Sequence, residues 1–350
     1  MAAASRSTTA DYLNSTLEAW RETRVKSWLD RPVPFIDALM SKGMGEAKQG
    51  GDGMRIPVRT TRHSSTIRIS TGYEANNLTV FPTLQGARVD WCDVARAVVI
   101  SGHEERINGG PAALVKLAKD REEDTEYALK MEWQKVLLDG GSAGDLQAWA
   151  DCETLNGTDF TDGWLEEEAY GSQGNTIEGL SKSTYSALVN WQNQSMDFQN
   201  AFGTYGLTQL FAAQTAVEAL SMEPDQIEIF GSRGFVQNLK RALQANERYL
   251  SEKDLDGGKR IMVFGGRKIS TIYSDLPQAG ATTATQKWSC IFIDFSCVKW
   301  TPIAGFVMKS GPYKELSPFY DSSAKLFQHM GQLNTNSLSS CALGVRGETY

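Results

Sequence analysis

One long helix pattern, whose middle is too polar to be buried in a core, constrains this fold more than any other feature. Residues 111–139 start with a proline, which suits the first helical position, and stop at Gly140 and Gly141. A helix over this range would span about 40 Å. Its apolar stripe is interrupted by KDREEDTE, residues 119–126, which is polar on all sides and net acidic. We therefore predict a strut whose ends pack while its centre faces solvent or another chain.

The chain before this helix is predicted to hold an arm and a basic hairpin. Residues 8–30 have the apolar spacing of an amphipathic helix, and a connector rich in proline and glycine follows. Residues 54–70, MRIPVRTTRHSSTIRIS, alternate apolar and polar side chains, which predicts a two-stranded hairpin with Pro57 at an edge. This hairpin carries no acid but four arginines, namely Arg55, Arg59, Arg62 and Arg68. Two interpretations stay open: a solvated hairpin, or an arm that lies on an acidic partner surface.

The stretch SGHEERINGG, residues 101–110, gathers one histidine and two acids just before the long helix. A zinc-binding helix of the HExxH type needs a second histidine four residues after His103, and none is there. Acidic and amide side chains near a helix start can accept hydrogen bonds from free backbone N–H groups. We therefore predict that Glu104, Glu105 and Asn108 form a strand-to-helix junction. A metal-dependent cytosolic hydrolase using the two glutamates is the minor alternative.

The rest of the pattern predicts an α+β fold. Helices are expected at residues 205–221 and 232–250, the second capped by Ser232, and a turn is expected at Gly265 and Gly266. Long single strands are expected at residues 86–101, with a bulge near Cys92, and at 288–300. Further strands are expected at residues 225–231, 260–264, 267–277, 324–335 and 340–345.

Composition excludes several classes of protein. A formal net charge of −7 argues against a dedicated nucleic-acid binder, which usually has a basic face. The five cysteines are scattered without a CxxC pair, which favours reduced thiols. The glycine-rich residues 139–145 lack the Lys-Ser/Thr of a phosphate-binding loop. We also find no membrane-spanning run and no secretory signal. We therefore expect no catalytic residue, metal, cofactor or membrane partner.

The order of these parts resembles the major capsid proteins of tailed bacteriophages, which have the Hong Kong ninety-seven (HK97-like) shell fold. The resemblance rests on these segments: ARVDWCDVARAVVISGHEERINGG running into the long helix, DGGSAGDLQAW after it, TIEGLSKSTYSALVNWQN, GGRKISTIYSDLP and the ending GQLNTNSLSSCALGV. It implies these parts: an N-terminal arm (1–45), an E-loop hairpin (46–88), a P-domain (89–143 plus 314–336) with the spine helix 111–139, and an A-domain (144–313 plus 337–350).

The resemblance also implies a function and partners. The subunit would self-assemble into pentamers and hexamers of an icosahedral phage head that encloses double-stranded DNA without sequence-specific binding. A separate scaffolding protein and a portal are expected partners, since no fused scaffolding segment is recognisable, and a decoration protein is a further candidate. Assembly would occur in the host bacterial cytoplasm, and the product would be the virion capsid. An encapsulin-like nanocompartment shell is the alternative on the same fold.

Within such a shell, the charged segments predict a contact between subunits. We expect the four hairpin arginines of one subunit to lie on acidic residues of the next, with these spine-helix residues as first candidates: Asp120, Glu122, Glu123, Asp124 and Glu126. Exposed ion pairs are individually weak, so their strength would come from repetition over many interfaces. The junction residues would then have a mechanical role, setting the angle at which the helix leaves its sheet.

Overall fold

The computed structural model describes residues 33–59, 66, 68–70, 72, 83–107, 117–139, 152–155, 164–166, 169, 172–183, 191–198, 202–245, 253–255, 259–272, 290–317 and 320–345. Within them the helices are α1 (Pro34–Lys42), α2 (Gly102–Ile107), α3 (Leu117–Asp139), α4 (Phe202–Leu220) and α5 (Arg233–Ala245). No helix in these ranges is long and apolar enough to cross a membrane.

The strands in chain order are β1 (Met54–Arg59), β2 (Leu84–Val89), β3 (Cys92–Ser101), β4 (Thr176–Ile177), β5 (Leu180–Ser181), β6 (Gln194–Asp197), β7 (Ile227–Ser232) and β8 (Lys253–Leu255). They continue with β9 (Lys259–Phe264), β10 (Arg267–Ile272), β11 (Cys290–Asp294), β12 (Val298–Pro302), β13 (Lys309–Ser310), β14 (Lys314–Ser317), β15 (Tyr320–Thr335) and β16 (Ala342–Val345). Helices and strands are mixed, so the predicted α+β class is confirmed.

The chain divides into two compact units. The first comprises Met1–Val33, Asp93–Trp133 and Gly305–Met330, and the second comprises Pro34–Cys92, Gln134–Ala304 and Gly331–Tyr350. In the first unit β3, β13 and β14 pair with the long strand β15. The last residues of β15 pair instead with β12, from Val298 opposite Thr335 to Pro302 opposite Gly331. The assignment of arm, E-loop, P-domain and A-domain stays a prediction.

The second unit is built on a mixed sheet of seven strands in the order β6-β16-β11-β7-β10-β9-β8. Helices α4 and α5 pack on one face through an apolar core that includes Phe198, Phe202 and Phe235, whose ring centroids lie 5.2 to 5.9 Å apart. On β7 the next residue, Phe230, points to the opposite face from Ile229, because side chains alternate along a strand. There it meets Phe35 of α1, with the ring centroids 5.2 Å apart.

Several local predictions are confirmed. Helix α3 ends at Asp139 as expected. Residues 111–116 of this predicted helix lie outside the described ones, as does the whole helix predicted at residues 8–30. The Ser232 hydroxyl caps α5 by accepting a hydrogen bond from the Phe235 backbone N–H at 3.3 Å. The strands β9 and β10 turn at Gly265 and Gly266, whose φ angles of 56° and 83° favour glycine.

The predicted hairpin within residues 54–70 is wrong, because β1 pairs with the more distant β2. The register places Met54 opposite Val89 and Ile56 opposite Ala87, so these four apolar residues share one face. Residues 66–70 offer two isoleucines, Ile67 and Ile69, but the side chain of Ile69 is 69% exposed. β1 therefore pairs with β2, which offers the better apolar match, although pairing with residues 66–70 would need a shorter loop.

Two predicted single strands are also wrong, because each is divided between sheets. The 86–101 segment breaks at residues 90–91 into β2, which pairs with β1, and β3, which pairs with β15. The 288–300 segment turns after β11 and continues as β12. At that turn Asp294 Oδ1 accepts the Ser296 backbone N–H at 2.8 Å, and the Asp294 carbonyl accepts that of Cys297 at 3.1 Å. A side-chain-capped turn of this kind needs neither glycine nor proline.

Candidate functional site

The predicted strand-to-helix junction is itself helical, as the short helix α2. Glu104 is its central residue: one carboxylate oxygen accepts the backbone N–H of Ser101 at 3.2 Å. Both carboxylate oxygens also accept hydrogen bonds from the Arg121 guanidinium of α3, each at 2.8 Å. Arg106 of α2 pairs with Asp321 of β15. These charge-assisted bonds fix α2 to its neighbours within the first unit.

Electrostatics favour the charged form of Glu104. The hydrogen bonds from Arg121 lower the pKa of this carboxyl below its usual value, against a smaller opposing effect of burial. The carboxylate is thus a fixed structural anion. Glu105 lies on α2 and Asn108 lies outside the described residues. His103 is exposed, and no group of three or more metal-ligating side chains converges in the described part of the chain.

The acidic residues of α3 differ in how far they are already engaged within the chain. Glu122 accepts a hydrogen bond from Lys325 at 2.6 Å. Burial alone would raise the pKa of the Glu122 carboxyl, but its hydrogen bonds, including the one from Lys325, bring this pKa below its usual value. Glu123 pairs with Lys119 at 3.4 Å and Glu126 with Lys130 at 2.8 Å, both along the helix. Within the described residues, Asp120 and Asp124 form no ion pair, so their carboxylates remain available to pair with a basic group of another surface.

The exposed face of the β1–β2 ribbon is strongly basic. Arg55 lies directly opposite Arg88 across the two strands, a like-charge arrangement that is unfavourable on its own. Arg88 is compensated by Asp90 at 3.2 Å and Asp52 at 3.4 Å. Arg55, Arg59 and Arg68 are exposed and pair with no acid in the described ranges, and Arg62 lies outside them.

Sequence reasoning missed a buried ion pair in the second unit. Lys182 is fully buried, and its ammonium lies 3.0 Å from the Glu166 carboxylate. It also donates to the Trp164 carbonyl at 2.6 Å, while the Glu166 carboxylate accepts the backbone N–H groups of Gly174 and Asn175, each at 3.0 Å. Desolvation lowers the pKa of Lys182, and the Glu166 charge opposes this shift. A lysine in EGLSKST gives no sequence signal for burial.

A second missed group is Glu178, in the tight turn between β4 and β5. Its φ angle of 51° lies in the left-handed region, where such turns favour asparagine or glycine. Its side chain is buried, and one oxygen accepts the Thr335 backbone N–H at 2.7 Å. The other oxygen has no hydrogen-bond partner within the described residues. Desolvation raises the pKa of Glu178 to about 8, with a further contribution from the charge of Glu153.

Comparison with solved structures gives this chain the shell fold seen in phage capsid proteins and in an encapsulin. No protein-family model matches the sequence, and no curated protein matches it either. Solved structures do match over nearly the whole chain. The predicted resemblance to tailed-phage capsid proteins is therefore confirmed at the level of the fold.

Three of the matching structures illustrate this likeness. A cyanophage A-1(L) capsid subunit has a TM-score of 0.61 at 11% identity, covering 93% of this chain and 96% of its own. The capsid of a native GTA particle has a TM-score of 0.59 at 12% identity, covering 94% and 96%. The holo-SrpI encapsulin complex of Synechococcus elongatus PCC 7942 has a TM-score of 0.56 at 10% identity, covering 99% of both chains.

Proposed function

We propose that this protein is the major capsid protein of a tailed phage, a structural subunit without enzymatic activity. It self-assembles into pentamers and hexamers of an icosahedral head that encloses double-stranded DNA. The observation that carries this proposal is the match to capsid subunits over more than nine-tenths of both chains. Because both lengths are covered, the likeness concerns the whole subunit and not one shared domain.

The assignment of parts follows the same proposal. Residues 1–45 form the arm and 46–88 the E-loop, with the β1–β2 ribbon as its paired base. The P-domain comprises 89–143 and 314–336 with the spine helix, and the A-domain comprises 144–313 and 337–350. A separate scaffolding protein and a portal complete assembly in the host cytoplasm, and a decoration protein is a further candidate partner.

The charged surfaces supply a specific contact between subunits. Arg55, Arg59, Arg62 and Arg68 of one subunit lie on the acidic face of the α3 helix of the next. Asp120 and Asp124 are the first partners, because they have no ion pair within the described residues. Glu122, Glu123 and Glu126 already have lysine neighbours, so they add to the negative field without gaining a new partner. Each exposed pair contributes up to about 1 kcal/mol, so the effect depends on repetition.

Imaging of the purified full-length protein by negative-stain electron microscopy tests the shell itself. Closed particles of uniform size are expected, with the scaffolding partner co-expressed where the subunit alone does not close. Dispersed monomers under all conditions would contradict the proposal.

Charge reversal tests the contact. Changing Arg55, Arg59 and Arg68 to glutamate should abolish particles while the circular dichroism spectrum stays that of the wild type. A matched control changes three exposed basic residues of the second unit, Arg233, Lys240 and Lys268, to glutamate and should still assemble. Restoring particles by adding Asp120→Arg and Asp124→Arg to the reversed ribbon would identify the partner surface. Normal particles from the reversed ribbon would refute the contact.

An encapsulin-like compartment is the second candidate, because the encapsulin subunit is matched over 99% of both chains. The contents of the particle separate the two. Double-stranded DNA that resists added nuclease identifies a phage head, and a co-purifying folded protein without DNA identifies a compartment. Assembly does not distinguish them, so contents must be measured on particles from the native source.

A further inference from the structure

Two distant backbone segments of the second unit are held against each other by one side chain. The Gln332 amide nitrogen donates to the Asp90 carbonyl at 2.9 Å, and its amide oxygen accepts the Glu153 backbone N–H at 3.1 Å. The two ends of a single amide group thus hold residues 90 and 153 within a few ångströms of it. Each segment carries a cysteine close to the bridged residue: Cys92 lies two residues after Asp90, and Cys152 directly precedes Glu153.

Both cysteines lie in the interior. Cys92 and Cys152 are 2% and 8% exposed, and the Cys152 thiol donates a hydrogen bond to the Glu153 carbonyl at 3.6 Å. Interaction with the Cys92 side chain raises the pKa of the Cys152 thiol, as expected of two neighbouring thiols. Both cysteines are free in this structure. A disulfide requires its two β-carbons to lie about 3.8 Å apart, so it can form only between cysteines on segments that are held close together, as these two are by Gln332.

We propose that Cys92 and Cys152 form an intramolecular disulfide when the protein meets an oxidising environment. The oxidant is a small-molecule disulfide such as oxidised glutathione. One cysteine thiolate attacks it, releases one glutathione thiolate and forms a mixed disulfide. The second cysteine then loses its proton and displaces the second glutathione thiolate. The two protein sulfurs are thereby oxidised by two electrons in total, and the oxidant is reduced to two thiols.

The position of this bond gives it a mechanical consequence. Cys92 is the last residue of the second unit before the chain enters the first, and the chain has returned to the second unit before Cys152. The disulfide would therefore close a loop of roughly 60 residues that holds β3, α2 and α3. Long closed loops restrict the unfolded chain strongly, so the oxidised protein is expected to unfold at higher denaturant concentration. The pairing does not depend on the proposed shell function.

Oxidation should be slow, because burial opposes formation of the reactive thiolate. The contact with Cys92 and burial raise the pKa of the Cys152 thiol well above its usual value. Incubation of the full-length protein with oxidised glutathione at about pH 8.5, with aliquots taken over hours to days, allows for this. The thiols are then counted by alkylation in denaturant, and linked peptides are mapped by mass spectrometry without reduction.

The expected result is a loss of two of the five thiols, a linked peptide that joins Cys92 to Cys152, and a shift of the urea midpoint upward that reductant reverses. Cys290→Ala, a matched control at another buried thiol, should lose two thiols as the wild type does. Cys92→Ala and Cys152→Ala should each lose none. Retention of all five thiols overturns the proposal, as does a bond between other cysteines, such as Cys297 and Cys341, or between subunits.

Discussion

Glu178→Gln is expected to remove a pH dependence that the wild-type protein carries. The Glu178 carboxyl is buried, and its pKa is raised from the usual 4.5 to about 8, mainly by desolvation. Between these two pH values the folded state keeps a proton that the unfolded state has lost. Stability therefore falls as pH rises from about 4.5 and levels off above about 8. The amide of the variant keeps an acceptor for the Thr335 N–H and has no proton to lose.

The magnitude follows from the size of the shift. One pKa unit corresponds to about 1.4 kcal/mol, so the carboxyl lowers stability by about 3 kcal/mol at pH 7 and about 5 kcal/mol above pH 8, relative to pH 4.5. These figures apply to a side chain that is only 2% exposed, so screening by solvent is small. We compare the free energy of unfolding of the variant with that of the wild type at each pH. The advantage of the variant should be about 3 kcal/mol larger at pH 7 than at pH 4.5.

Urea denaturation followed by tryptophan fluorescence at several pH values between about 5 and 8 measures this difference. At each pH, the wild-type free energy of unfolding is subtracted from that of the variant. This subtraction cancels the contributions of all groups that titrate in the same way in both proteins. Asp225→Asn, at an exposed carboxyl of the same unit, is the matched control and should give a flat difference. A difference for Glu178→Gln that is equally flat from pH 5 to pH 8 would refute the assignment of a buried protonated carboxyl.

Two further substitutions test the other ionic contacts by thermal or urea denaturation. Glu104→Ala removes both bonds to Arg121 and should cost about 1.5–3 kcal/mol, whereas Glu123→Ala, which breaks only an exposed pair within α3, should cost under about 0.5 kcal/mol; equal costs would contradict the junction role. Lys182→Met leaves the Glu166 carboxylate buried without its counter-charge and should cost about 3–5 kcal/mol. Adding Glu166→Gln should recover part of that loss. If it recovers none, the unpaired charge of Glu166 is not the cause of the lost stability.

Most of the structural features that the sequence predicts correctly depend on local patterns. The end of α3, the Ser232 cap and the turn at Gly265 and Gly266 each depend on residues within a few positions, so they are readable without tertiary knowledge. The breaks at residues 90–91 and 295–297 have no glycine or proline to mark them. At the second break the turn is made by the Asp294 side chain, and aspartate within an apolar run is a weak signal.

The buried charged groups could not be predicted, because their partners lie far along the chain. Glu178 is fixed by a backbone N–H 157 residues away, and Lys182 by a glutamate on a separate segment. In sequence, both sit in a polar hairpin that looks solvent-exposed. At the junction, the sequence pointed to Glu104 as an acceptor for backbone N–H groups near a helix start, and its bonds to Arg121 could not be predicted because they require the position of α3 relative to α2.

The ribbon of β1 and β2 has properties that suit the proposed contact between subunits. A two-stranded sheet is marginally stable alone in water, and this one is tied at its base by the Arg88 N–H to the Glu178 carbonyl at 2.9 Å. At its other end Arg59 lies opposite Leu84, whose side chain is 60% exposed. The arginines beside Leu84 have no acidic partner within the described residues. Burying Leu84 against another surface is therefore favourable only if that surface also supplies acidic groups. Burial of that end would then contribute affinity, while the arginines select an acidic surface and fix its orientation.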